Sequence, residues 1–361
     1  MRMLGIEEIE DIAVGAAILG TGGGGDPYVG KLMAVQAIEK HGPVRLLDPL
    51  EIPTNSLVIP TAMMGAPTVM VEKIPGGDEV IGALKALEQR YGQQVFATMS
   101  CEAGGINSTI PISVAARLGI PLVDADGMGR AFPEIQMVTF HLHGVTASPM
   151  AMADEKGNAV LIEACDNYWI EKIARATTVA MGGSAMIALY AMKGDIVKKA
   201  AISRTISLAS TLGRVLRETQ REKVNPVNQI LKITHGFEIF QGKIVDVERR
   251  TIAGFAKGTA KLEGVETFNG DQLLIRFQNE NLIAIKNDQV IASVPDLITI
   301  LDTETGLPIT TEGLKYGYRV AVVGMPCHPL WRTPDGLTIV GPQYFGYDVD
   351  YVPLETLMEG R

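Results

Sequence analysis

The chain of 361 residues is poor in cysteine, with only Cys101, Cys165 and Cys327, far apart and none in a CxxC pair. An odd, scattered set excludes a disulfide framework and points to a reducing compartment. Basic charge is also scarce: 32 Lys and Arg face 41 Asp and Glu, a formal charge of −9. Without a basic block there is no general attraction for a phosphate backbone or an anionic bilayer, so neither nucleic acid nor membrane is expected as a partner. Long apolar runs are missing too. The stretch from Ala176 to Met192 is broken by Gly182-Gly183-Ser184, and that from Ile135 to Ala153 by two histidines and Pro149. The opening MRMLGIEEIEDI puts acids where a signal peptide needs a positive segment. A cytoplasmic, soluble protein is expected, with no internal repeat or low-complexity tract.

What is present is a globular composition, 47% hydrophobic, punctuated by 39 Gly and 19 Pro. That length suggests two domains at roughly 150 residues each. Residues 1–165 alternate helical and strand patterns. Ile6, Ile9, Ile12, Ala16 and Leu19 follow helical spacing, with acids in the first turns and Gly20 as a stop. Asp26-Pro27 reads as an N-cap and first helical residue of a second helix running to about Lys40. Strands are expected at Val44–Leu47, Leu57–Pro60, Val95–Met99, Pro121–Asp124, Met137–His143 and Asn158–Glu163, with helices at Asp78–Tyr91 and about Thr109–Leu118. This alternation predicts an α/β N-terminal domain with a mostly parallel sheet. Residues 166–361 read as a helix pair, one member a long helix from about Asp195 to Glu222, followed by a β-rich domain. Its strands include Leu273–Phe277 and Tyr318–Val323, with turn signals at Gly242-Lys243, Asn269-Gly270-Asp271, Gly306 and Thr333-Pro334-Asp335-Gly336.

Four constellations carry candidate chemistry. The run Gly22, Gly23, Gly24, Gly25, Asp26 lets a ligand or another backbone come close. It is not a phosphate loop: it lacks a GK[ST] ending, follows a helix, and places a carboxylate where phosphate would sit. Second come the exits of three expected parallel strands, where open α/β sheets bind ligands. They are Ala62 to Pro67 (with Met64), Ser100 to Asn107 (with Cys101, Glu102 and Asn107), and Asp124 to Arg130 (with Asp126). A helix start near Asn107 and Ser108 would favour a Cys101 thiolate, while Glu102 opposes it. Asp124 and Asp126, two apart at a strand end, suit acid–base work and equally suit turn capping. Third, strand periodicity puts His141 and His143 on one face, where zinc could be chelated with a third ligand from Asp124, Asp126, Cys327 or His328. Fourth, prolines bracket Cys327 and His328 in a fixed loop.

Taken together, TGGGGDPYVG, SCEAGGINST, LVDADGMGRAFPE and GMPCHPLW resemble the S-methyl thiohydantoin desulfurase family, over about residues 7 to 355. The resemblance implies an N-terminal α/β domain, a largely β C-terminal domain, and hydrolytic removal of a methylthio group from a five-membered thiohydantoin ring. The products would be a hydantoin and methanethiol. Cys101, Asp124 and Asp126 are then the catalytic candidates. Gly22 to Gly25, Asp26, Met64, Glu102, Asn107, Arg130, Cys327 and His328 are candidates for substrate binding. Attack by a Cys101 thiolate and attack by an activated water both stay open.

The first functional reading is therefore a hydrolase acting on a small cyclic thiohydantoin or related cyclic imide, expected as a homo-oligomer. The second is a non-catalytic metabolite-binding or accessory subunit of a hydantoin- or oxoproline-cleaving hydrolase. A Met-rich chain (16 Met) without a single strong catalytic motif fits that reading.

Overall fold

A computed structural model describes residues 2–65, 69, 73, 75–222 and 224–359. Ala66 and Pro67, at the end of the first expected strand-exit loop, lie outside the described residues. The amino-terminal part contains β1 (Arg2–Leu4), α1 (Ile6–Leu19), α2 (Pro27–His41), β2 (Val44–Leu47), β3 (Leu57–Gly65), α3 (Asp78–Tyr91), β4 (Val95–Met99) and α4 (Ile110–Leu118). It continues through β5 (Leu122–Val123), β6 (Ala125–Asp126), α5 (Thr139–Leu142), β7 (Met150–Ala153), β8 (Ala159–Ile162), α6 (Asn167–Ala180), β9 (Ser184–Ala188) and β10 (Met192–Lys193). After these come α7 (Gly194–Ala200), β11 (Ile202–Ser203), α8 (Thr205–Glu222) and α9 (Pro226–Thr234). The strand-rich part holds β12 (Phe237–Ile252), β13 (Phe255–Gly264), β14 (Gln272–Gln278), β15 (Glu280–Lys286), β16 (Gln289–Ser293), β17 (Leu297–Asp302) and β18 (Arg319–Met325). Two short helices close it, α10 (Pro334–Val340) and α11 (Leu354–Met358). No helix among the described residues is long and apolar enough to cross a membrane.

The first sheet is mixed, ordered β1-β2-β5-β4-β3-β9-β7-β8, with β10 also on β3. Its centre, β2-β5-β4-β3, is parallel, and antiparallel strands extend it on both sides. β3 joins the two regions. Its first half pairs with β4, its second half with β9, and every residue but Gly65 is buried. A strand covered on both faces carries a continuous apolar run, as Leu57 to Met64 nearly does. The second sheet is a seven-stranded antiparallel half-barrel, ordered β16-β15-β14-β13-β12-β18-β17. The expected fold class, an α/β part followed by a helix pair and a β-rich part, is what the chain adopts.

Several local expectations need correction. Met137–His143 is not a strand: Val138 precedes the single helical turn of α5. The long helix from Asp195 is two helices, split where β11 pairs with β6 and Arg204 takes a positive φ of 65°. The break is stabilised from outside, because the Asp124 carbonyl accepts Arg204 N at 2.6 Å and its carboxylate accepts Ser207 N at 2.9 Å. Gly242-Lys243, taken as a turn, lies inside β12, where a side chain at Gly242 would strike the Glu263 carbonyl. Thr333-Pro334 opens α10, with Thr333 Oγ1 accepting Gly336 N.

α1 and α8 cross with their backbones nearly touching. A Cβ on Gly15 would sit 1.9 Å from the Ala209 carbonyl oxygen, and one on Gly213 would sit 1.9 Å from that of Asp11. Beside this seam Arg217 holds the buried Asp11 carboxylate with two bonds of 3.0 and 2.9 Å. In an ordinary helix interior Gly→Ala stabilises by about 1 kcal/mol. Here the sign reverses, since neither backbone can yield without separating the helices. Gly15→Ala and Gly213→Ala are each expected to lower the stability read by urea titration by about 1–3 kcal/mol. A gain in either variant would contradict the close crossing.

Candidate active site

Two glycine loops meet beneath the half-barrel. After α1, Gly22, Gly24 and Gly25 take positive φ values of 90°, 71° and 77°. A Cβ on Gly24 would lie 2.4 Å from Gly104 Cα, and Gly24 O accepts Ile106 N at 2.9 Å. From the other side the half-barrel grips the same loop: Asn281 N donates to Thr21 O and Thr311 N to Gly22 O, each at 2.8 Å. Thr299 Oγ1 donates to Ile18 O, satisfying one of the carbonyls that the end of α1 leaves open. Asp26 caps α2 as expected, accepting Tyr28 N at 2.7 Å.

A cleft opens at this junction. Met63, Met64, Met128, Ile135, Val138 and Ile187 give it apolar walls, while Cys101, Glu102, Asn107, Arg175, Tyr190 and Glu280 bring polar groups. That lining suits a small, mostly apolar ligand with a few fixed polar contacts. Asn107 organises one wall. Its Oδ1 accepts Met63 N at 2.7 Å, and its Nδ2 donates to Met63 O at 3.2 Å and to Glu102 Oε1 at 2.6 Å. It therefore binds the β3 exit to Glu102 rather than capping α4, whose N-cap is Thr109.

Glu102 is 7% exposed. Burial pushes its carboxyl up to about 7, against the pull of Asn107, the Phe132 amide and the Arg130 charge. A carboxyl poised near neutrality, facing a cleft and held by an amide, can accept a proton and return it. Cys101 also lines the cleft, but burial and the neighbouring Glu102 and Asp126 push its thiol well above its ordinary value. The helix expected after Asn107 and Ser108 is present as α4, but it begins nine residues beyond Cys101, at Ile110, and the thiol stays hard to ionise.

The glycine residues Gly24 and Gly25, with Met64, Cys101, Glu102 and Asn107, thus come together on one cleft. Gly22 and Gly23 sit behind it, against Asn281 and Glu280. Arg130 was expected to meet substrate and instead is wholly enclosed. Its Nε donates to Ala131 O, one terminal nitrogen to Pro295 O and Asp296 O, and the other to Thr21 Oγ1 and Asn281 O, at 2.8–3.5 Å.

Asp124 and Asp126 do not face one another across a substrate. Asp124 caps α8, and Asp126 accepts Gly129 N in a tight turn. Cys327 N donates to Asp296, which also accepts Arg332, Tyr351 OH and Leu354 N. His328 caps the turn at Pro329–Arg332. Neither Cys327 nor His328 lines the cleft.

The histidines also separate. His141 packs edge-on to Tyr168 and pairs through Nδ1 with Asn167 Nδ2, whereas His143 Nδ1 contacts Thr139 O, both at 2.9 Å. A helical turn points residues two apart in different directions, so the shared-face reading fails with the strand. Among the described residues no three His, Cys, Asp or Glu side chains gather as a metal site.

Among the cleft residues that escaped the sequence reading are Glu280, Asn279, Arg175 and Tyr190. Arg175 pairs with Glu171 at 2.6 Å, donates to Pro133 O at 2.9 Å, and lies over the Phe255 ring.

Sequence models of the S-Me-THD-like family match the chain in two adjoining parts, the N-terminal domain over residues 7–164 and the C-terminal domain over 165–354. A crystal structure of a protein from Chromobacterium violaceum is similar, with a TM-score of 0.81 and 24% identity over 98% of this chain and 100% of that one. No curated protein matches.

The buried acids give stability a distinctive pH dependence. Burial pushes Asp126 up to about 8, so with Glu102 it keeps a proton in the folded chain that the unfolded chain has released. The folded state then binds more protons, and stability falls as pH rises from about 5 to about 8. The melting temperature should fall across that window, and Asp126→Asn, which has no proton to lose, should flatten the slope. A wild-type melting temperature that climbs from pH 5 to 8 would remove this account.

Proposed function

We propose that this chain, which belongs to the S-Me-THD-like family, is a hydrolase that removes the methylthio group from a small five-membered thiohydantoin ring or opens a related cyclic imide. The observation that supports this most is Glu102, a carboxyl poised near neutrality and held by Asn107 at the wall of a cleft with methionine-rich apolar sides. The methionine wall suits the ring and its sulfur, since thioethers pack well on soft, polarisable groups.

In this reading water, not Cys101, attacks the ring carbon that bears sulfur. The buried thiol is hard to ionise, whereas Glu102 loses its proton near neutral pH and can act as the base. Glu102 takes a proton from water as the new C–O bond forms. Asn107 fixes the direction in which that carboxylate points. As the tetrahedral adduct collapses, Glu102 returns its proton to the departing thiolate, while the ring nitrogen gains a proton and the adduct hydroxyl gives one up, leaving a ring carbonyl next to N–H and methanethiol.

The test is to supply purified protein with S-methyl thiohydantoins and cyclic imides and to measure methanethiol and ring products. Wild-type kcat/KM should rise with pH through about 7 as Glu102 ionises. Glu102→Gln should lose a factor on the order of 10²–10⁴, while Cys101→Ala should stay within roughly tenfold, lacking a covalent role. Tight binding of hydantoin with no turnover of any ring would favour the accessory-subunit reading instead. Full activity in Glu102→Gln would remove that residue from the mechanism.

A further inference from the structure

We propose that Glu280 is the second catalytic group of the cleft, a carboxylic acid supplied by the half-barrel that gives a proton to the substrate's ring nitrogen while Glu102 takes one from water. This inference rests on the hydrolytic reading above and adds the acid which that reading lacks.

Glu280 is the first residue of β15, 2% exposed, and it lines the same cleft as Glu102. Its Oε2 is buried with no hydrogen-bond partner among the described residues. A buried carboxyl oxygen left unpaired costs free energy, which a ligand donor or acceptor in the cleft would recover. The position of the group is fixed by the loop below it. A Cβ on Gly23 would stand 2.0 Å from Glu280 Oε1, so only glycine at that position leaves room for the carboxyl.

Arg130 is the cation whose charge acts on Glu280, yet its five N–H groups are directed to Ala131, Pro295, Asp296, Thr21 and Asn281. No ion pair therefore holds Glu280 as a carboxylate. The other charged groups acting on it, Glu102 and Glu312, are acids, and together with burial they favour its protonated form. Two carboxyls in one cleft with different environments divide the work, one basic and one acidic.

The proton balance closes. Glu102 accepts a proton from water as oxygen bonds to the ring carbon, and Glu280 donates its proton to the adjoining ring nitrogen as the C=N bond becomes single. On collapse the C–S bond breaks and Glu102 delivers its proton to sulfur. The hydroxyl proton of the adduct returns to Glu280 as the carbonyl forms. One water is consumed, one thiol leaves, and both carboxyls regain their starting states.

Glu280→Gln keeps the shape and a hydrogen-bond donor but has no proton to give. It should melt within a degree or two of the wild type, because a neutral group replaces a neutral group. Its kcat should fall by a factor on the order of 10²–10⁴ with little change in KM. Glu280→Asp, which retains an acid, should recover part of the loss, and it serves as the second variant if the glutamine fails to fold. A wild-type minus Glu280→Gln infrared difference spectrum near neutral pH should show the loss of one carboxylic-acid carbonyl band, over and above those of Asp126 and Glu102. Activity within tenfold of wild type in Glu280→Gln, or an unchanged infrared band, would overturn the assignment. If the wild type turns over no thiohydantoin or imide, the hydrolytic reading fails, and the infrared band still decides whether Glu280 is an acid.

Discussion

Everything at the junction depends on one enclosed cation. Arg130 has no contact with solvent, yet it reaches the glycine loop at Thr21, the turn at Pro295 and Asp296, and the start of β15 at Asn281. A charge so far from water is tolerable only because each N–H finds an acceptor and the guanidinium also lies 4.5 Å from the centre of the Phe132 ring. Burial lowers its pKa to about 10, which still leaves it charged near neutrality. The planar, five-donor fork of arginine meets this requirement, and the single ammonium of lysine cannot. The glycine loop and the half-barrel are thereby held in one register by these hydrogen bonds.

That register matters because the cleft belongs to neither sheet alone. Glu102 follows β4, Asn107 precedes α4, and Glu280 comes from the half-barrel. Between them pass Gly22 to Gly25: Gly24 packs backbone to backbone on Gly104, while Gly22, Gly23 and Gly25 lie against the side chains of Asn281, Glu280 and Ile106. The glycines are obligatory by contact: any side chain there would push apart the walls that carry the acids. Their role is to let the protein approach itself.

The sequence disclosed much of this architecture and about half of the cleft. Helix and strand patterns were legible where one face is buried and the other wet, as in α3, or where a short apolar run is bounded by turn residues, as in β4. The strand-exit rule led to Met64, Cys101, Glu102 and Asn107 because these belong to one locally readable α/β layer. Glu280 was not legible, since a glutamate opening a strand resembles an ordinary solvated residue until the glycine loop is laid over it. Asp124 and Asp126 misled for the converse reason: carboxylates before glycine or a helix serve as caps as readily as they serve chemistry. The α5 turn looked like a strand because Val138, Phe140 and Leu142 alternate, yet the Thr139 hydroxyl is drawn to the Ala200 carbonyl and the chain coils. The break before α8 was hidden because the groups that impose it lie some eighty residues earlier.

The crossing of α1 and α8 joins segments about two hundred residues apart in the chain. Its second partner therefore leaves the ribosome only after some two hundred further residues have followed the first. β3 likewise waits for β9 before its second half is paired. Until then the nascent layer carries an unpaired edge and an uncovered apolar helix face, the surfaces on which chaperones act. Contacts of such long sequence separation also place the fold among slow, topologically demanding ones. Its assembly is therefore governed by when its parts become available during synthesis.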